Sequence, residues 1–241
     1  MSKLFHPPTS MAACAGVSTM QAYYELYRRS IADPNGFWLD QAKRITWKTP
    51  PTRGFSGSLA KGDIRWFEDG TLNASFNCLD RHVHAGYGDQ TAIIWEPNDP
   101  AEAPRHLTYF NLLEQVERAA NVLKTLGVRK DDRVCIYLQM IPELAISMLA
   151  CARIGAIHSV VFGAFSAESL RERINDCGAK VLITQDEGLR GNAVVPMKSK
   201  ADQALKGTPS IEHVLVVPRT GTNVPMLAGR DMNWNNVLLT T

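Results

Sequence analysis

The chain has 241 residues, 45% of them apolar and 21% charged, with a formal net charge of +2, which suits one large or two small globular domains with a sizeable core. Its Lys and Arg are spread along the chain without a block of like charge, so nothing argues for nucleic acid or an anionic membrane as a partner. The five cysteines, Cys14, Cys78, Cys135, Cys151 and Cys177, are odd in number, and three fall within or at the end of apolar or helical stretches where a reduced thiol packs as a small hydrophobe. Met1 to Val17 makes a poor signal-peptide core, and no run reaches roughly 18 consecutive apolar residues. The expectation is a soluble, cytoplasmic protein.

Residues 1 to about 90 lack regular periodicity and are punctuated by Pro34, Gly36, Pro50, Pro51, Gly54, Gly57, Gly62 and Gly70. One helix is expected there, from about Thr19 to Ile31, with Ser18 as its cap and Tyr23, Leu26, Tyr27 and Ile31 on one face. Phe37, Trp38, Trp47, Trp66 and Phe67 follow at irregular spacing, as packing anchors that pin an extended segment to the surface of another body. A short helix over Leu72–His84 would bring Leu79 and Val83 together.

From about Thr91 the pattern becomes orderly. A strand over Ala92–Trp95 and a second leading to Thr108 precede an amphipathic helix that Thr108 caps; Leu112, Leu113, Val116, Ala119, Ala120, Leu123 and Leu126 form its apolar face and Gly127 its stop. The strand Val134–Leu138 then runs to Pro142, which opens a nearly all-apolar helix closed by Gly155. Next come a strand over Ile157–Phe162, a helix capped by Ser166 and ended by Gly178, and a strand over Lys180–Thr184. A helix over Pro196–Leu205 and a strand over His213–Val217 extend the series, and Pro218–Thr241 reads as loop with a short amphipathic end. Strands of about five residues alternating with helices of about twelve imply an α/β fold: a parallel βαβ-type sheet flanked by helices. The division is thus an irregular extension over 1–90 and a regular domain over 91–241.

Ligands of open parallel sheets sit beyond the carboxyl ends of the strands, which directs attention to the loops after Leu138, Phe162 and Thr184. The second, Gly163-Ala164-Phe165-Ser166, has a small pair that lets a ligand approach the backbone ahead of a helix N-terminus, although a glycine at such a turn needs no ligand. The third, Gln185–Arg190, ends in a guanidinium that is either a phosphate clamp or half of a surface ion pair with Asp186 or Glu187, and residues alone favour the ion pair. No Walker, Rossmann, zincin or C-x-x-C motif and no G-x-S-x-G is present. Cys78, His82 and His84 lack the second half of a metal site, so no metal and no catalytic residue is assigned.

Several collinear stretches carry a family likeness. Trp66–Asn73, Asn77–His82, Thr91–Glu96, Met148–Ser159, Val161–Ser166 and Ile183–Arg190, with the early Tyr24, Tyr27, Ser30, Phe37 and Trp38, closely resemble the N-terminal part of AMP-forming acetyl-coenzyme A synthetase, one of the adenylate-forming enzymes. The resemblance implies that the regular region is the first part of their large N-terminal domain. It also implies an activity, ligation of acetate to coenzyme A through an acetyl-adenylate made from ATP with magnesium. Family members are much longer. Their phosphate loop, adenine and acetate pockets and C-terminal catalytic Lys are expected to lie beyond the counterpart of Thr241, so the chain alone is expected to be inactive, with small molecules as the parent enzyme's partners.

By the same resemblance the family holds the 3′-phosphate end of coenzyme A with an Arg at the position of Arg190 and the three residues after it, here Gly191, Asn192 and Ala193. It places a Gly near that ligand at the position of Ala164, beside Gly163. The family's second Arg is Ala193 here. Losing a charge-assisted donor should weaken coenzyme A binding or shift the task to another residue. Two further classes stay open: a non-catalytic module that binds coenzyme A or a nucleotide, and a degenerate paralogue that binds nothing.

Overall fold

A computed structural model describes residues 7–191 and 193–240. The chain forms two compact units, one ending at Leu72 and the other beginning at Asn73.

The first unit holds helices α1 (Thr9–Cys14), α2 (Met20–Ala32) and α3 (Pro34–Ala42) and a short antiparallel ribbon of β1 (Phe55–Ser56) and β2 (Arg65–Trp66). The cap of α2 is Thr19, one residue after the expected Ser18: its hydroxyl accepts from the Ala22 N–H at 3.1 Å. α3 is a helix where an extended segment is expected. Asp33 accepts from the Gly36 N–H at 3.0 Å and Pro34 takes the first helical position, so the residues read as punctuation start a helix instead. The aromatics pack within the unit: Trp38 against Trp66 at 5.5 Å, Phe55 against Trp66 at 5.5 Å and Trp47 against Phe67 at 5.5 Å between ring centroids.

The second unit opens with α4 (Ala74–Cys78) and α5 (Asp80–His82) in place of one helix over Leu72–His84. The break falls at buried Leu79 (φ −125°, ψ −71°). Tertiary bonds on both sides fix it. The Asn73 amide donates to the Ala152 and Arg153 carbonyls, and Asp80 takes a two-pronged pair from the Arg153 guanidinium.

After the antiparallel pair β3 (Thr91–Trp95) and β4 (Arg105–Thr108) comes α6 (Tyr109–Thr125), with Thr108 accepting from the Asn111 N–H at 3.1 Å. Its expected apolar face is the face that buries: Leu112, Val116, Ala119, Ala120 and Leu123 are all in the core. Then follow β5 (Arg133–Leu138), α7 (Pro142–Ile154), β6 (Ile157–Phe162), α8 (Ala167–Cys177), β7 (Val181–Gln185), β8 (Gly188–Arg190), β9 (Ala193–Val195), α9 (Met197–Leu205), β10 (His213–Val217), β11 (Asp231–Asn233) and α10 (Trp234–Leu239). β5, β6, β7, β10 and β11 form one parallel sheet in the spatial order β11-β10-β7-β5-β6.

Alternation along the strands builds a core on each face. Val134, Ile136, Leu138, Val181, Ile183, Leu215 and Val217 pack with α6, α7 and α10 residues. Cys135, Tyr137, Leu182, Val214 and Val216 point the other way, toward Leu170 and Ile174 of α8 and Met197, Ala201 and Ala204 of α9. Strands buried on both sides read as unbroken apolar runs, and each fully buried aliphatic side chain contributes about 1.5–3 kcal/mol.

The tail expected to be loop adds β11, and its short amphipathic end is α10. An ion-pair cluster anchors β11: the fully buried Lys198 ammonium lies 2.9 Å from Asp231 and 2.7 Å from Asp202 and donates to the Pro225 carbonyl at 2.8 Å. Arg230 closes the cluster, 2.9 Å from Asp202 and 2.5 Å from Asp231.

Candidate functional site

Starting from β5, the chain adds β6 on one side and then crosses back to add β7, β10 and β11 on the other. The order of addition reverses between β5 and β7, and the loops at the carboxyl ends of those two strands diverge there to open a crevice. A cavity of about 450 Å³ lies at this place, lined by Trp95, Glu96, Asn98, Leu138, Gln139, Met140, Ile141, Phe162, Gly163, Ala164, Leu189, Arg190, Val195, Lys200 and Arg219. The three loops selected from the sequence therefore converge on one site.

Arg190 ends β8, which the sequence left as loop. β8 and β9 form an antiparallel hairpin pairing Gly188 with Val195, Leu189 with Val194 and Arg190 with Ala193. Three-residue strands are too short to show alternation, so no periodicity announces them. Gly191 turns the chain with φ +56°, in the left-handed region, as a tight hairpin connection requires. Asn192 lies outside the described residues. Asn98 holds the turn from a separate loop, donating to the Gly191 carbonyl at 2.8 Å and accepting from its N–H at 3.3 Å. Ala193 is exposed on β9.

The surface ion pair favoured for Arg190 is not formed; among the described residues no carboxylate lies within ion-pair distance of its guanidinium. Asp186 and Glu187 are committed elsewhere. Buried Asp186 accepts from the backbone N–H groups of Arg219 at 2.9 Å, Gly221 at 2.8 Å and Glu187 at 2.6 Å, while Glu187 accepts from the hydroxyls of Thr220 at 3.1 Å and Thr222 at 2.7 Å. The acidic pair fastens the segment after β10 and leaves Arg190 exposed toward the cavity.

Gly163 and Ala164 lie between β6 and α8. A side chain on Gly163 would meet Gln139 Cγ at 3.2 Å, the Leu138 carbonyl oxygen at 3.3 Å and Met197 Cε at 3.3 Å, so glycine lets this turn press against β5. The hydroxyl of fully buried Tyr137 lies 3.2 Å from the Gly163 carbonyl and 3.0 Å from that of Phe165. Burial raises the phenol's pKa, keeping it protonated as the donor that shapes the turn. α8 starts immediately beyond, with Ser166 accepting from the Ser169 N–H at 3.3 Å. Its N-terminus adds partial positive charge where anions bind favourably.

Trp95, Glu96, Asn98, Val195, Lys200 and Arg219, which also line the cavity, had no signal in the sequence as cavity groups. The Trp95 indole donates to the Met140 carbonyl at 2.8 Å, and the Arg219 guanidinium sits 4.9 Å from its ring centroid while pairing with Glu102 at 2.7 Å. Lys200 projects from α9 into the same cavity. Leu138, Ile141, Phe162 and Trp95 supply apolar surface beside these cations. A flat apolar wall next to free positive charge can hold the base and the phosphates of a nucleotide. Cys78, His82 and His84 play no part in this cavity: the His82 ring packs 4.9 Å from Tyr109 and the His84 ring 6.0 Å from Phe76.

Residues 79–234, which include every lining residue of the cavity, match the model of the AMP-binding enzyme family. The chain belongs to the AMP-binding enzyme family. In this member residues 23–78 also match the acetyl-coenzyme A synthetase N-terminus model. It is similar to the acetyl-coenzyme A synthetase of Syntrophus aciditrophicus, with 52% identity over 99% of the chain and 37% of that protein. The acetyl-coenzyme A synthetase of Bradyrhizobium diazoefficiens is 53% identical over 95% of the chain and 35% of its own length, and that of Syntrophobacter fumaroxidans is 51% identical over 98% and 36%. The chain thus spans a little over a third of the length of these AMP-binding relatives. Among the described residues no helix is long and apolar enough to cross a membrane.

Proposed function

We propose that the chain supplies the coenzyme A nucleotide cavity of an acetate–coenzyme A ligase, a cytoplasmic enzyme that makes acetyl-adenylate from acetate and ATP with magnesium and passes the acetyl group to coenzyme A. The observation that carries this reading is the convergence of unpaired Arg190 with Gly163, Ala164, Trp95 and Phe162 on one cavity at the sheet's switch point. Its volume falls in the range of small-molecule sites, roughly 300–1,000 Å³.

In this reading Arg190 is a charge-assisted donor to a phosphate of coenzyme A. The Gly163–Ala164 turn admits the ligand close to the backbone, and the exposed ring of Phe162 offers a face for the base. Coenzyme A contributes the thiol that receives the acetyl group; these residues bind and orient its nucleotide end. In this reading these residues hold coenzyme A and take no part in activating acetate or ATP.

Titration calorimetry with coenzyme A tests the reading. The chain binds coenzyme A, and Arg190→Ala weakens binding about tenfold or more, the value of a charge-assisted hydrogen bond. A flat titration, or unchanged affinity in the variant, would overturn it. A parallel assay with ATP, magnesium and acetate should release no pyrophosphate.

A further inference from the structure

The cavity carries more positive charge than Arg190 alone, and its partners show which charge is free. Three cations line it: Arg190, Lys200 and Arg219. Arg219 is neutralised by a two-pronged pair with Glu102, at 3.0 and 2.7 Å, and lies over the Trp95 ring, 4.9 Å from its centroid. Lys198, one half-turn before Lys200 on α9, is buried and consumed by Asp202, Asp231 and the Pro225 carbonyl. Among the described residues the Lys200 ammonium has neither a carboxylate within ion-pair distance nor a hydrogen-bond acceptor. Glu96, also exposed on the cavity, is the one lining carboxylate, so Arg190 and Lys200 leave an excess of positive charge facing the space.

The two free cations come from different elements, Arg190 from the β8–β9 hairpin and Lys200 from α9, while β9 (Ala193–Val195) contributes the uncharged Val195 to the lining. Met197, Ala201 and Ala204 bury the sheet-facing side of α9, which fixes the helix and leaves Lys200 half-buried on its flank beside the cavity. An ammonium on a four-carbon stem is a compact point charge suited to a phosphate oxygen. Two unpartnered cations on one cavity match a dianionic phosphate monoester better than the singly charged links of a phosphodiester chain.

We infer that Lys200 is the second phosphate ligand of this cavity and, together with Arg190, selects ligands that carry a phosphate monoester. Resting on the coenzyme A reading above, the inference makes Lys200 the residue that distinguishes coenzyme A from its 3′-dephospho form.

The test is calorimetric titration of coenzyme A and 3′-dephospho-coenzyme A into the wild-type chain, Lys200→Ala, Lys200→Gln and Arg190→Ala, each checked for an unchanged thermal transition. Wild type should prefer coenzyme A, and both Lys200 variants should lose about tenfold in affinity for it while binding the dephospho form as wild type does. If the Lys200 variants retain the wild-type preference while Arg190→Ala loses it, the inference falls and the coenzyme A reading stands. Equal weakening toward both ligands would also overturn the inference, since Lys200 would then act elsewhere on the ligand. If wild type binds neither ligand, the coenzyme A reading itself fails and takes the inference with it.

Discussion

Gln139 pairs with the backbone of Leu189 as a neighbouring strand would: its side-chain carbonyl accepts from the Leu189 N–H at 2.9 Å and its amide donates to the Leu189 carbonyl at 3.2 Å. The Gln139 backbone N–H in turn donates to Gln185 Oε1 at 2.8 Å, and Gln185 Nε2 donates to the Glu187 carbonyl at 2.7 Å. The carboxyl ends of β5 and β7 are thereby stitched together, and the hairpin bearing Arg190 is hung from the stitch. Gln139→Ala should therefore raise hydrogen exchange at Leu189 and its hairpin neighbours and weaken coenzyme A binding several-fold. Two backbone groups lose partners, a local cost of about 1–3 kcal/mol. Unchanged protection of the Leu189 amide would refute this role.

Gly188 provides the room for that amide. A side-chain carbon there would lie 2.4 Å from Gln139 Cδ and 2.5 Å from its Oε1, so Gly188→Ala must expel the Gln139 side chain from its place. The two changes should be non-additive: Gly188→Ala costs stability in wild type and little in the Gln139→Ala background. A double-mutant cycle on denaturant midpoints checks this, with a coupling of roughly 1 kcal/mol expected.

At the C-terminal end of α7, Asp80 receives both prongs of Arg153, at 2.8 and 2.9 Å, and Arg153 also reaches Glu117 at 2.7 Å. Burial pushes the Asp80 pKa upward, but the hydrogen bonds and charge of Arg153 outweigh it and hold the carboxyl below its ordinary 3.8. A pKa lowered on folding contributes stability that is present above the unfolded value and lost as pH falls through the folded one. Asp80→Asn should cost about 2 kcal/mol at neutral pH. The gap between wild type and variant should stay constant down to about pH 4 and shrink below it, as read from urea melts at successive pH values.

All five cysteines are free thiols, Cys14 and Cys78 exposed and Cys135 and Cys151 buried. Burial pushes both Cys135 and Cys151 up to about 12, so neither forms thiolate near neutral pH. A thiol-specific reagent such as DTNB should modify Cys14 and Cys78 rapidly in the native chain. Cys135 and Cys151 should react only after unfolding, and peptide mapping would expose any fast labelling of them.

The regular half of the chain was legible because its elements are long enough to show a period. The caps Thr108 and Ser166, the opener Pro142 and the stops Gly155 and Gly178 all stand where the structure uses them. Short elements escaped: β8, β9 and β11 have three residues each, and α3 begins with residues that elsewhere end structure. β11 depends on Lys198 and Asp202, partners distant in sequence, together with the adjacent Arg230. At the site, Arg190 and the Gly163–Ala164 turn could be found from loop position and family likeness. Lys200 and Arg219 could not, because only folding brings Glu102 to Arg219 and leaves Lys200 beside the cavity without a carboxylate.

A crystal structure of the chain grown with saturating coenzyme A tests most directly whether this cavity receives the phosphorylated end of coenzyme A. Nucleotide density is expected against Phe162, with a phosphate within hydrogen-bond reach of both Arg190 and Lys200. Nucleotide density elsewhere on the molecule, with this cavity holding only water, would contradict the coenzyme A reading.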